Sequence, residues 1–367
     1  MAGSSKIRTG FLIIADISGY TSFVSGTELE HAQEIMEEIT TLLLSHIQSP
    51  FKLVKLEGDA TFYYVPAESL PDTQRLLDHI EGCYYDFATH LKHMKLVTHC
   101  HCKACSSIHD LDLKFFVHYG EYMVQRVPGT ADDLAGPDVI LLHRLTKNMV
   151  EENYGLRGYA LFTNSAMQHI GQLKPAQTHK ENYEHIGDVE CKIYNLQEYE
   201  HRMRETHRVY LERHESDYIY DRTVNTTPEI LWSYIVEPQK RMRWQALTVE
   251  NKLNDEGRLG VDAEFHCDHG NFTRNTKLVD WRPFHYMTSI TLQAFRKIPW
   301  KGPPCQTIYE FVRADDHHTR FSLRVKCLKR DWFNMLIVRL IMKRMLDKEN
   351  NADFRRLEKE LERVSSE

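Results

Sequence analysis

Two hydrophobic rhythms run along the chain, and they change near residue 200. The first is set by Phe11 to Ala15, five apolar residues in a row that fill a buried strand and run into Asp16, a Ser18-Gly19 turn and Thr21, which can begin a helix. From Glu28 to Ile47, apolar residues recur every three or four positions (Ala32, Ile35, Met36, Ile39, Leu42, Leu43, Ile47), which predicts an amphipathic helix. Phe51 to Leu56 and Ala60 to Val65 flank Glu57-Gly58-Asp59 as a strand pair; a helix over 72–94 and a strand over 111–118 follow. Residues 198–216 carry alternating charges and little apolar content, and predict a solvated helical linker.

Beyond that point the period becomes two. Tyr218 to Val224 alternates as a strand, Thr227 and Pro228 open a short helix to Ile235, and a second short helix begins near Pro238. Strand-like runs at 248–253, 263–268, 275–280, 286–292, 307–313 and 319–327 are separated by turn residues, as in an antiparallel meander. Trp332 to Val364 reads as one long helix with Leu336, Leu340 and Leu346 facing inward. The pattern predicts an α+β chain of two domains, 1–197 and 217–367.

With 42% hydrophobic and 11% aromatic residues, such domains can bury real cores. The charge balance, 46 − 52 = −6, gives no basic field for nucleic acid or an anionic membrane. The opening MAGSSKIRTG lacks an apolar h-region, and the run 332–345 is too short and too charged to span a bilayer, so a cytoplasmic protein without a transmembrane segment is expected. Eight cysteines without a secretion signal imply a reducing compartment.

Asp16 stands at the mouth of a buried strand beside the backbone N–H groups of Ser18, Gly19, Tyr20 and Thr21, which suits a cation and the phosphates it carries. Asp59 lies at a strand turn. If the two strands are neighbours, the carboxylates converge and can bridge two Mg²⁺ or Mn²⁺ ions. A capping Asp and an ordinary hairpin Gly-Asp would look the same locally.

The motifs ADISGYTSF, KLEGDATFYYV, DLKFFVHYGEYMV and DLAGPDVILLHRL, in this order, resemble the class III nucleotide cyclase homology domain over about 6–196. The resemblance implies a ferredoxin-like α/β sandwich that forms a homodimer and acts on ATP. It assigns metal binding to Asp16, Asp59 and the Ile17 carbonyl, adenine reading to Lys55 and Asp133, and transition-state charge to Arg144. Two positions depart from the family pattern. Ile140 stands where an asparagine orients the ribose, and 184–189 offers no lysine for the terminal phosphates. A catalytically silent protein that binds nucleotide, metal and a lipid-type ligand is the second reading.

Between the predicted helix and strand lies HCHCKACSSIHD, with Cys100, Cys102 and Cys105 flanked by His99 and His109, and Cys83 upstream. Crowded thiolates repel unless a cation neutralises them, so structural Zn²⁺ is expected, with Cys83, His99, His109 or a partner chain as fourth ligand. An iron–sulfur cluster and free thiols are the alternatives. C-x-C-x-A-C insertions of this kind are similar to those of a poorly characterised bacterial cyclase-like family.

The order of elements after 217, with TPEILWSYIVEPQKRMRW and GRLGVDAEFHCDHG, resembles the START-like helix-grip superfamily (polyketide cyclase/SRPBCC type). The resemblance implies a curved antiparallel sheet gripping a long helix around a cavity for a hydrophobic small molecule, with Trp232, Trp244, Phe265, Trp281, Tyr286 and Phe311 as wall or core candidates. His266, Asp268 and His269 are poorly placed for a metal, because strand alternation turns His269 away from the other two. The whole would be a nucleotide cyclase with a ligand-sensing second domain.

Overall fold

A computed structural model describes residues 7–26, 28–70, 73–97, 102–125, 132–171, 173, 176–205, 208–245, 247–255, 257–270, 272–296, 302–329 and 343–366. The chain divides into two compact units, Met1–Thr206 and His207–Glu367. None of the described helices is long and apolar enough to cross a membrane.

In unit 1, β1 (Arg8–Ser18) leads through α1 (Tyr20–Gly26) and α2 (Leu29–His46) to the hairpin β2 (Lys52–Glu57) and β3 (Ala60–Pro66). Next come α3 (Gln74–Val97), the short α4 (Lys103–Ser107) and β4 (Asp112–Gln125). After β5 (Asp133–Ala135) follow α5 (Pro137–Leu145), α6 (Val150–Tyr154), β6 (Tyr159–Thr163), α7 (Asn164–Ile170), β7 (Gln177–Tyr183), β8 (Gly187–Asn195) and α8 (Leu196–Glu205). The strands order as β2-β3-β1-β4-β6-β8-β7, with β5 paired to β4, and β4–β6 is a parallel pair. The first four strands thus form a ferredoxin-like βαββαβ arrangement, in which β1 is central and antiparallel to both β3 and β4.

Alternation along β1 explains the layers. Phe11, Ile13, Ala15 and Ile17 pack on one side with Ile35, Ile39, Ile80 and Phe87 of α2 and α3. Leu12 and Ile14 pack on the other with Val139, Leu142 and Leu145 of α5. The sheet is therefore covered on both faces. This is why β1 reads as an unbroken apolar run rather than an alternating one.

Unit 2 contains β9 (Tyr218–Val224), α9 (Pro228–Val236), α10 (Pro238–Trp244), β10 (Thr248–Lys252), β11 (Glu264–Asp268) and β12 (Phe272–Arg282). It continues with β13 (Tyr286–Phe295), β14 (Cys305–Arg313), β15 (Thr319–Cys327) and α11 (Lys343–Ser366). All strands join one antiparallel sheet, β10-β11-β12-β13-β14-β15-β9. Phe354, Leu357 and Leu361 of α11 enter its core, and Arg222 of β9 grips Glu358 through two hydrogen bonds of 2.9 and 2.8 Å. Leu336 and Leu340 lie outside the described residues. Thr227 occupies the helix-start position of α9, but its side chain makes no capping bond.

The predicted linker helix over 198–215 ends at Glu205, and α8 is anchored in unit 1 by buried Leu196 and Tyr199. Residues 208–211 already belong to unit 2. Leu211 is fully buried beside Tyr286 and Ile308, and the Val209 N–H donates to Asp280 at 3.0 Å. A few apolar side chains at the right register outweigh the charged average of the segment.

Of the six aromatic wall candidates, Trp244 and Phe265 line the cavity beside α11. Trp232, Trp281 and Phe311 fill the core, and Tyr286 sits in the Leu211 cluster. That cavity measures about 80 Å³, and Ile235, Leu278, Met287 and Phe354 line it together with Arg241, Arg274 and Asp353, so among the described residues it is smaller than the expected pocket. His266 and Asp268 are engaged at the surface with Asn275 and Arg296, while His269 turns inward to stack on Phe272.

Candidate functional site

The cleft in unit 1 forms where β1 runs out of the sheet. Register places Asp16 directly between Ala60 of β3 and Lys114 of β4, so Asp59, one residue before Ala60, arrives at the same edge. Asp16, Ile17, Ser18, Gly19, Tyr20, Thr21, Asp59 and Lys114 line one open cleft of about 550 Å³. Its turn is built around Gly19, whose φ of +84° favours glycine and whose missing Cβ would come within 2.6 Å of the Asp110 carbonyl oxygen. The Ser18 hydroxyl donates to the Arg157 carbonyl at 3.2 Å and fixes the turn from the other side.

Burial raises the Asp16 carboxyl to about 6, with the neighbouring Asp59 adding to the effect and Lys114 opposing it. Burial also raises Asp59. Two carboxylates that disfavour each other's charge in an open cleft fit the donor set of a divalent cation. Lys114 already supplies part of that positive charge, and it also reaches Glu151 at 3.0 Å. Lys114 had no assigned role in the sequence reading; its signal was its place at the head of the KFFV strand, which becomes meaningful only once β4 is paired with β1.

The remaining cyclase-type positions are distributed as follows. Lys55 Nζ lies 3.2 Å from Asp133 and 2.9 Å from Glu57, and these partners, Glu57 foremost, raise its pKa. Arg144 is exposed on α5 and is not among the residues lining the Asp16 cleft. Ile140, one turn earlier on the same helix face, is 58% exposed. Val139, Leu142 and Leu145 are the buried residues of α5. Toward the other end of β1, where Leu12 pairs with His118 and Gly10 with Gly120, His118 Nε2 lies 3.2 Å from Asp138, whose other oxygen accepts from the Glu121 N–H at 2.6 Å, so the GPD segment braces β4.

The cysteine-rich segment assembles differently from expectation. Cys102 and Cys105 converge with His31 of α2, their three ligand atoms lying within 4.8 Å of one another. Cys83 is 2% exposed in the hydrophobic core, on the inward side of α3, and does not belong to the group. His109 is exposed beside Asp110. Cys100 and His99 lie outside the described residues. His31 was missed because it is 71 residues from Cys102, with nothing but its position in the first turn of an amphipathic helix to mark it.

The family described as "Protein of unknown function (DUF2652)" matches residues 35–154. The chain is 32% identical over 145 residues to "Uncharacterized protein Rv2561/Rv2562" of Mycobacterium tuberculosis, across 40% of this chain and 66% of that protein's length. Adenylyl and guanylyl cyclase domains are among the solved structures it is similar to, each over about half the chain. The guanylyl cyclase Cya2 aligns at 14% identity over 52% of this chain and 92% of that one, with a TM-score of 0.40. The adenylyl cyclase CyaB from P. aeruginosa aligns at 13% over 52% and 94%, with a TM-score of 0.38. The guanylate cyclase domain of RhGC from Catenaria anguillulae, solved in complex with GTP, aligns at 16% over 52% and 97%, with a TM-score of 0.38.

Proposed function

We propose that unit 1 binds a nucleoside triphosphate together with divalent cations and, as a homodimer, converts ATP to cyclic AMP and pyrophosphate. The observation that carries this reading is the Asp16–Asp59 carboxylate pair, gathered in one open cleft with the Ser18–Thr21 turn. The four cyclase-type motifs in family order support it.

Asp16, Asp59 and the Ile17 carbonyl would hold the cations. Mg²⁺ or Mn²⁺ bound there supplies the charge that acidifies the ribose 3′-hydroxyl and braces the phosphates. The backbone of Ser18 to Thr21 orients the phosphate chain so that the 3′-oxygen lies in line with the α-phosphorus. That oxygen bonds to phosphorus as the bond to pyrophosphate breaks, and the hydroxyl proton passes to solvent. Lys55 and Asp133, which lie 3.2 Å apart, would exchange that contact for the adenine edge. Arg144 is exposed and does not line the Asp16 cleft, and it would offset the transition-state charge in the cleft of a second copy.

A second reading, nucleotide binding without turnover, is favoured by Ile140 at the ribose position and by the absence of lysine from 184–189. Incubation of the purified chain with ATP and Mn²⁺ separates the two. Cyclic AMP that disappears in Asp59→Ala supports the cyclase, bound nucleotide without product supports the second reading, and neither binding nor product overturns both.

A further inference from the structure

Apart from the nucleotide cleft, unit 1 holds a set of soft ligands that the cyclase chemistry does not use. His31 Nδ1 lies 3.2 Å from Cys102 Sγ, and the Cys105 N–H donates to that same sulfur at 3.4 Å. All three side chains are half-buried, reachable by an ion yet shielded from bulk solvent. A tetrahedral Zn²⁺ with bonds of about 2.3 Å to sulfur and about 2.0 Å to nitrogen sets its ligand atoms about 3.5–3.8 Å apart, and here the three atoms all lie within 4.8 Å of one another. Two thiolates and a neutral imidazole balance its charge, and binding releases the two thiol protons. Sulfur and imidazole select zinc over the Mg²⁺ or Mn²⁺ suited to Asp16 and Asp59, so the two sites would not compete for one ion.

We propose that His31, Cys102 and Cys105 bind one Zn²⁺ ion, and that this ion fastens the 102–110 segment to the start of α2. The Glu28 carboxylate accepts from the Ala104 N–H at 3.2 Å and holds the two segments in register. Three residues past α4, the Asp110 carbonyl accepts from the Arg157 guanidinium and lies against the Gly19 turn. The zinc therefore secures the wall on which the Ser18–Thr21 turn rests.

The test uses the full chain. Purified protein carries about one zinc per chain by elemental analysis, and replacement by Co²⁺ gives thiolate-to-cobalt charge-transfer and tetrahedral d–d absorption. His31→Ala, Cys102→Ser and Cys105→Ser each weaken zinc binding at least tenfold, whereas Cys83→Ser, His109→Ala and Asp59→Ala retain it. Retention in Asp59→Ala keeps this result independent of the nucleotide reading. Chelation of the wild-type chain, which needs no mutant to fold, speeds amide exchange over 16–21. A chain that takes up neither zinc nor cobalt, or His31→Ala with full content and an unchanged cobalt spectrum, overturns the site. Unchanged exchange after chelation overturns the fastening role.

Discussion

Asp16 and Lys114 are direct cross-strand partners, β1 against β4, at the edge of the proposed nucleotide cleft. The lysine partly occupies, in charge, the place a divalent cation would take, and so sets the affinity of that cation. Replacing it with an uncharged side chain of similar length removes the competing charge without emptying the strand pair. Lys114→Met is expected to lower the Mn²⁺ concentration needed for half-maximal binding by roughly five-fold, about 1 kcal/mol of screened Coulomb energy. Mn²⁺ titration by calorimetry measures it.

Asp16 also sets a pH dependence. Its carboxyl is raised from 3.8 to about 6 on folding, so the folded chain holds a proton in the window between those values that the unfolded chain has lost. Stability therefore falls as pH rises from about 4 to about 6 and stays lower above that. Asp16→Asn is expected to be more stable than wild type by about 1–3 kcal/mol at pH 8 and nearly equal to it at pH 4. Urea melts at the two pH values provide the check, and a bound divalent cation should raise the wild-type melting temperature but not that of Asp16→Asn.

Gly19→Ala meets two penalties: a left-handed backbone, and a Cβ 2.6 Å from the Asp110 carbonyl oxygen. Neither can relax without moving backbone. A loss of about 2–4 kcal/mol is expected, and Gly58→Ala, where nothing lies within 4 Å of the new Cβ, should lose less. Chemical denaturation of the two variants side by side tests the contrast.

In unit 2, burial depresses His269 to about 3, with the Arg274 and Arg241 charges adding to it. Glu349, 3.5 Å away, is itself pushed up by burial. Because the unfolded histidine takes up a proton below its ordinary value of 6.5 and the folded one does not, stability is lost as pH falls from about 6.5 toward 3. Glu349 opposes the loss at the acid end. His269→Gln should flatten the slope by up to about 1.4 kcal/mol per pH unit between pH 6.5 and 5, as read from thermal melts across that range.

Leu211→Ala is expected to cost unit 2 about 2–4 kcal/mol, since the residue is fully buried against Tyr286 and Ile308. Amide exchange should quicken in β13 and β14 and stay unchanged in β1 and β4.

The sequence carried most of the strands and helices, because their periods are local. Tyr218–Val224 and Thr319–Cys327 occupy the spans that alternation alone predicts. The meeting of Asp16 with Asp59 could be posed from the sequence, since each ends a strand, but it needed the β1–β3 pairing to be realised. What stayed hidden depended on distance along the chain. His31 joins Cys102 only through packing between α2 and α4, and Lys114 faces Asp16 only through the β1–β4 register. The charged average of 198–216 concealed Leu211, because burial is decided residue by residue and not by a window mean. Cys83 drew attention as a ligand for its proximity in sequence, yet its place on the inward side of α3 gives it to the core.

Each of the two sheets is completed by strands from its own side of residue 206, β9 pairing with β15 rather than with any strand before it. The chain crosses from one unit to the other a single time, so a protease cut or a stop codon near that crossing severs no strand pairing among the described residues. The two halves are accordingly expected to fold as separate polypeptides, and any influence of one on the other's chemistry would then be read as the difference between the covalent and the mixed preparations.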